Sequence, residues 1–274
     1  AVLAGASVPT EPVWPSKPLV LILAFGGGGF LGVVLAFVLD RWGAPAGFRT
    51  LEEVRRTLGL SALALVPAVR RRARRGRSME AYLLERPTSA FAESVQRLRA
   101  RLLLGSGTAP VGTVLVTSSL PAEGKSTLAC ALARQSARAG LRVLLIDADL
   151  RRPGLHRLLG FGNEAGLAEI LAGELELATA LRHDEATGLA VVTAGQPSAS
   201  PPDLLRSPAM RRLLEQATSA FDLLVLDLNM PDIGGLEVVE FVRSQDKLRA
   251  LPILVVTTRG EDTTRETVLA AGAS

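Results

Sequence analysis

The 274 residues are enough for one or two domains with a sizeable core, and a hydrophobic content of 48% fits a globular chain that also carries a membrane segment. The single cysteine, Cys130, excludes an internal disulfide, and its place in a helical stretch reads as core filling. A net charge of +4 with a pI near 9.9 invites a nucleic-acid reading, but the arginines gather just after an apolar run, which points to membrane lipid and no nucleic acid.

Residues 1–18 form a Pro-rich edge ahead of an uncharged run from Leu19 to Leu39, LVLILAFGGGGFLGVVLAFVL. That run is long enough to cross a hydrocarbon core of roughly 30 Å as one helix. A signal peptide would have a shorter apolar region behind basic residues, whereas Glu11 and prolines stand here. The chain opens without an initiating Met, so an upstream part is expected. Gly26 to Gly29 and Gly32 give either a small-residue face for another membrane helix or glycine merely tolerated in lipid. Lys17 alone precedes the run, while Arg41, Arg49, Arg55 and Arg56 follow it, so the C-terminal side is expected in the cytoplasm.

Residues 40–88 read as a basic cytoplasmic linker, with six arginines between Arg70 and Arg77. The simplest role of that run is solvation, and contact with anionic headgroups is a second. TLEEVRRTLG predicts a short amphipathic helix, followed by an apolar stretch ending at Pro67. A further helix is predicted over Ser89–Leu104, where Phe91, Val95, Leu98 and Leu102 recur on one face and Glu93 precedes Arg97 by four.

Val111 to Asp149 organises the rest of the chain. Val111–Thr117 is a short β-branched run, Ser126–Ala139 has Ala and Leu at helical spacing before Gly140, and Val143–Ile146 is a buried parallel strand. The loop between the first strand and the helix is a phosphate-binding loop of the form GxxxxGK[ST], with Ser119 at the first glycine position. Backbone N–H groups there point at an anion, and Gly124 lets the chain approach it. Lys125 reaches the outer phosphates and the Ser126 hydroxyl is placed for Mg²⁺. A bare GKS also fits a serine-capped helix start, but the strand before and the helix after favour a nucleotide. The expected ATP contacts are Ser119, Pro121, Ala122, Glu123, Gly124, Lys125, Ser126 and Thr127.

Asp147 and Asp149 close the second strand, where carboxylates beside a phosphate loop hold a metal-bound phosphate. His156 and His183 have no partner at metal-ligand spacing. Leu189–Thr193 is a third strand, and the loop at residues 197–202 leads to a helix predicted over Asp203–Thr218.

From Val8 to about Phe221 the chain resembles the bacterial tyrosine kinases of capsule and exopolysaccharide synthesis, with the end of their chain-length-determinant membrane module attached. The residues that carry this are PTEPVWPSKP, RTLEEV, LGLSALALVP, FAESVQRLR, TSSLPAEGKST, LLIDADLRRPGLH and PPDLLRSPAM. The resemblance implies ATP and Mg²⁺ at Lys125 and Ser126. It implies a catalytic acidic motif at Asp147 and Asp149, one of which helps activate an acceptor hydroxyl. It also implies a bacterial inner-membrane location, the polysaccharide polymerisation and export machinery as partner, and a homo-oligomer formed through the Glu93 helix and the span. Glu93 and Arg99 match the family's ExxRxxR oligomer contact, with Gln96 in place of its first Arg.

From Asp222 onward DLLVLDLNMPDIGGLEVVEFVRSQ, LPILVVTTRGED and VLAAGA resemble the receiver domain of response regulators. That resemblance implies Asp227 as phosphoacceptor and Thr257 as the strand-end hydroxyl that senses it. A receiver also needs Mg²⁺ on an acidic pair and a lysine on its last strand. Neither that lysine nor a first receiver strand is found in the sequence, and Asp147 and Asp149 substitute for the acidic pair only if the sheet brings them beside Asp227. The kinase family's tyrosine-rich tail is not found either, and Tyr82 is the sole tyrosine. Helix over Leu236–Ser244, strand over Ile253–Thr257 and helix over Thr263–Ala271 are predicted.

The expected fold is α/β: a P-loop NTPase-like, doubly wound, mostly parallel sheet behind one transmembrane helix, completed by receiver-like, flavodoxin-like βαβα units. The expected parts are the edge at 1–18, the span at 19–39, the linker at 40–88, a kinase-like domain at 89–221 and a receiver-like segment at 222–274. The expected metal ligands are Ser126, Asp147 and Asp227. The function implied is a membrane-anchored, ATP-binding tyrosine autokinase-like protein. A receiver fused to a P-loop module and a non-catalytic polysaccharide co-polymerase scaffold are the alternatives.

Overall fold

The computed structural model describes residues 16–43, 50–58, 62–69, 79–104, 112–118, 123–198, 200–228 and 252–256. Ser119, Pro121, Ala122, Thr257, the Arg70–Arg77 run and the helices expected over Leu236–Ser244 and Thr263–Ala271 lie outside the described residues.

Helix α1, Lys17–Gly43, belongs to a unit of its own at residues 1–47. It is 27 residues long and uncharged from Pro18 to Leu39, with Leu21, Ile22, Phe25, Phe30 and Phe37 all exposed. A helix hydrophobic all round, without a protein core against it, has the length and composition to cross a membrane.

In the second unit, residues 48–274, the described residues form a sheet of six strands. Helices α2 (Leu51–Leu58), α3 (Met79–Glu85) and α4 (Ala90–Leu104) come first. Then follow β1 (Thr113–Ser118), α5 (Lys125–Arg138), β2 (Val143–Asp147), α6 (Leu155–Leu159), α7 (Leu167–Ala172) and α8 (Leu177–Ala180). A hairpin of β3 (Arg182–Asp184) and β4 (Leu189–Val192), helices α9 (Pro201–Arg206) and α10 (Pro208–Ala220), and strands β5 (Leu223–Asp227) and β6 (Ile253–Val256) complete the order.

The sheet order is β3-β4-β2-β5-β1-β6, parallel except for the β3–β4 hairpin. Strands β2, β4 and β5 are buried along their whole length, because helices cover both faces of the sheet. Alternate residues divide between two cores. Val114, Val116, Val143, Leu145, Leu223 and Val225 face α3, α4, α5 and α6. Leu115, Leu144, Ile146, Leu224 and Leu226 face α7, α8 and α10. Each fully buried leucine contributes roughly 1.5–3 kcal/mol relative to exposure.

Strand β5 fills the place between β1 and β2, so the residues after Phe221 supply the middle of the sheet rather than an appendage to it. The expected helix over Asp203–Thr218 is two helices. Pro208 occupies the first turn of α10 and Ser207 Oγ accepts from Met210 N–H at 3.3 Å, so a new N-cap interrupts the run.

Polar locks fix the layers. Arg134 on α5 makes a buried bidentate pair with Asp184 of β3, both bonds 2.9 Å, and Thr187 Oγ1 donates to the same carboxylate. Gln135 Nε2 donates to Ala92 O at 3.0 Å and joins α5 to α4. At the N-terminal ends of the central strands β2 and β5, Arg142 N donates to Asp222 Oδ2 at 2.8 Å, and Asp222 N donates to Arg142 O at 2.8 Å.

Candidate nucleotide-phosphate site

The C-terminal ends of β1, β2 and β5 converge on the start of α5. Gly124 makes the turn into the helix at φ +89°, a left-handed conformation that side chains rarely adopt. Lys125 is the first helical residue, and its side chain is folded back into the sheet edge. Its Nζ stands 3.8 Å from Asp149 Oδ2 and 3.9 Å from Asp227 Oδ1. The same ammonium donates to Ser126 Oγ at 3.4 Å.

The three carboxylates differ in their partners. Asp147 Oδ1 accepts from Asp149 N–H at 3.1 Å, and its Oδ2 accepts from Gly154 at 3.1 Å and Leu155 at 3.0 Å. Asp147 therefore ties the loop after β2 back onto the strand end. Asp149 Oδ1 accepts from Arg152 N–H at 2.8 Å. Asp227 is 1% exposed, and neither of its oxygens accepts a well-formed hydrogen bond. The Ser126 hydroxyl lies near enough to favour its ionised form without that geometry.

Asp147 and Asp227 face each other in register across β2 and β5. Burial, and then the Asp227 charge, raise the Asp147 carboxyl to about 7 against the pull of its backbone donors. Burial is also the main cause raising Asp227, opposed by Lys125 and Ser126. The loop that Asp147 holds passes close to the phosphate-loop serine: a Cβ placed on Gly154 would stand 4.0 Å from Ser126 Oγ.

Of the expected nucleotide contacts, Glu123 to Thr127 are in place at the helix start, and Lys125, Ser126, Asp149 and Asp227 come together. No group of three His, Cys, Asp or Glu side chains among the described residues is arranged as a ready-made metal cage. Ser126 and the bare Asp227 oxygens are the donors suited to a hard cation that also takes oxygens from phosphate and water. Glu93 and Arg99 lie elsewhere, on α4. Glu93 pairs with Arg97 at 3.4 Å, and Arg99 keeps a buried Nε without a hydrogen-bond partner.

Two further polar features flank the site. His156, beside Leu155, has a buried Nδ1 without a partner, and burial lowers its pKa. Asn163 and Glu169 close a lock at the end of β4: Gly195 N donates to Asn163 Oδ1 at 3.2 Å, while Glu169 accepts from Gly166 N at 2.7 Å and Gln196 N at 3.0 Å. The signal for that lock was the helix-cap pattern at Gly166–Glu169.

The sequence and the fold also match known proteins. A family model described as the response regulator receiver domain matches residues 206–274, and one described as adenylylsulphate kinase matches residues 111–215. Tyrosine-protein kinase ptk of Acinetobacter johnsonii is 32% identical over 225 residues, which is 80% of this chain and 30% of that protein. Succinoglycan biosynthesis transport protein ExoP of Rhizobium meliloti is 31% identical over 257 residues, 83% of this chain and 32% of that protein. The chain thus spans about a third of the length of these relatives. The kinase domain of Escherichia coli tyrosine kinase ETK superposes with a TM-score of 0.68 at 28% identity, covering 83% of this chain and 92% of that one. The chain is a homologue of the bacterial tyrosine-protein kinases, with the P-loop α/β fold of their kinase domains.

Proposed function

We propose that this chain is a membrane-anchored, ATP-binding protein of tyrosine-kinase type that acts with a bacterial polysaccharide polymerisation and export machinery. The observation that carries the reading is Lys125 held between Asp149 and Asp227 at the N-terminus of α5, beside the Ser126 hydroxyl. In this reading α1 spans the inner membrane, the sheet is cytoplasmic, and copies associate through the Glu93 helix and the span.

The residues fit Mg²⁺·ATP. The helix-start N–H groups receive the phosphates, and Lys125 swings from the carboxylates to an outer phosphate oxygen. Ser126 and Asp227 would hold the cation, which would neutralise charge on the outer phosphates, while Asp147, expected as a third ligand, has both oxygens taken by backbone N–H groups. Asp147 keeps the 148–155 loop against Ser126, and Asp149 is the carboxylate from which an acceptor hydroxyl gains help in losing its proton. Positioning and charge stabilisation are the main demands of this chemistry.

The full chain is expected to transfer phosphate from Mg²⁺·ATP to a tyrosine-containing peptide, and Lys125→Ala to abolish that transfer. Peptide phosphorylation by the variant at the wild-type rate would contradict the proposal.

A second reading is supported by Asp227, which lies in the region that the receiver model matches, meeting Asp147, Asp149 and Lys125 from outside that region at the C-terminal ends of β2 and β5. Here Asp227 accepts a phosphoryl group from a small phosphodonor. A hydroxylamine-labile label lost in Asp227→Ala would support this reading, and no label in the wild type would contradict it.

A further inference from the structure

We infer that Tyr82 is the phenolic acceptor when one copy of this chain phosphorylates another, an inference that rests on the tyrosine-kinase reading above. Tyr82 is the one tyrosine in the 274 residues, so any phosphotyrosine formed within them is on that side chain.

The structure gives this phenol the surroundings of an acceptor. Helix α3 is anchored by its neighbour Leu83, which is 2% exposed and buried in the core shared with α4 and α5. Tyr82 itself is half-buried and stands one position further round the helix from that anchor. Among the described residues its hydroxyl has no hydrogen-bond partner, so a phosphate placed there breaks no hydrogen bond among them. The Arg86 guanidinium lies 5.8 Å from the ring centroid. One turn along from Tyr82, Arg86 can exchange this cation–π contact for an ion pair with the phosphate.

Charge also suits docking. Six arginines between Arg70 and Arg77 precede Tyr82. The receiving site carries the carboxylates Asp147, Asp149 and Asp227, to which ATP adds its own negative charge. Basic sequence ahead of the phenol favours encounter with a carboxylate-lined site at low ionic strength. In the transfer, Tyr82 Oη forms a bond to the γ-phosphorus as the bond to the β,γ-bridging oxygen breaks. The diphosphate leaves with the electron pair, and the phenolic proton passes to a carboxylate of the receiving site.

The test incubates the full-length chain in lipid vesicles with Mg²⁺ and γ-labelled ATP, with and without an added tyrosine peptide. Wild type and Tyr82→Phe are compared. The expected result is alkali-stable label on the wild-type chain that falls at least tenfold in Tyr82→Phe, while both proteins phosphorylate the peptide equally. Equal peptide phosphorylation also reports that the variant is folded. Undiminished alkali-stable label on Tyr82→Phe, or peptide phosphorylation by a wild-type chain that carries no label at Tyr82, overturns the inference and leaves the kinase reading standing. Absence of both label and peptide phosphorylation overturns the two together. Lower salt is expected to raise the labelling rate of the chain more than that of an uncharged peptide, and an equal response would count against docking by the arginine run.

Discussion

Asp227 stands directly opposite Asp147 in the register of β5 against β2, both almost fully buried, with Asp147 bonded to three backbone N–H groups and Asp227 to none. Two carboxylates this close and this dry resist simultaneous ionisation, offset by the backbone donors on Asp147 and by Lys125 and Ser126 beside Asp227. Positive charge is what such a site is short of.

Removing one of the two charges therefore has opposite effects on stability and binding. Asp227→Asn is expected to raise the Tm of the nucleotide-free protein, because a buried carboxylate without hydrogen bonds becomes a neutral amide. The same variant is expected to lose the enhancement of ATP affinity by Mg²⁺, by about tenfold or more, as a charged ligand atom is lost. Thermal melts and equilibrium binding with and without Mg²⁺ measure both. A lower Tm with intact Mg²⁺ enhancement would contradict this account.

The Asp147 carboxyl is raised to about 7 in the folded chain. Between its unfolded value near 4 and that folded value, the folded state binds its proton more tightly than the unfolded state does. This group's contribution to stability is thus present at low pH and is lost as pH rises through about 7. The nucleotide-free wild type, compared with Asp147→Asn across that window, is expected to lose more stability as the pH goes up. Urea titrations at several pH values check the sign, and parallel curves would be inconsistent with it.

The buried pair of Arg134 and Asp184 joins the phosphate-loop helix to the β3–β4 hairpin. Arg134→Met leaves Asp184 buried without its counter-ion and is expected to cost roughly 3–5 kcal/mol. The double variant Arg134→Met/Asp184→Leu should recover much of that loss, read by urea unfolding. A double variant as unstable as the sum of the singles would show that the pair acts through something besides charge.

Gly166→Ala tests the lock at the end of β4. Its φ of −168° is ordinary extended backbone, so the glycine is needed for space: an added Cβ would overlap Thr193 O and Gly195 N. A loss of about 1–3 kcal/mol is expected in denaturant unfolding.

Much of this was legible in the sequence because parallel strands buried on both faces read as unbroken apolar runs. VLLID and FDLLVLD are of that kind, and GKS between a strand and a helix marked the helix start at which Lys125 meets Asp149 and Asp227. What remained hidden was order in space. Nothing local in FDLLVLD says that β5 inserts between β1 and β2, and only that insertion sets Asp227 against Asp147. Helices α6, α7 and α8 and strand β3 are too short for periodicity to register. The break at Ser207–Pro208 did leave a signal, an N-cap serine followed by proline, which the apolar spacing on either side overrode.

The central claim is that Lys125 guards a nucleotide-phosphate site at the strand ends. Equilibrium binding of Mg²⁺·ATP to the full chain, wild type against Lys125→Ala, tests it most directly. The account predicts Mg²⁺-dependent binding by the wild type and at least about tenfold weaker binding by the variant, since a charge-assisted contact to phosphate is removed. Equal affinity in the two proteins, with the variant folded by its thermal melt, would contradict it.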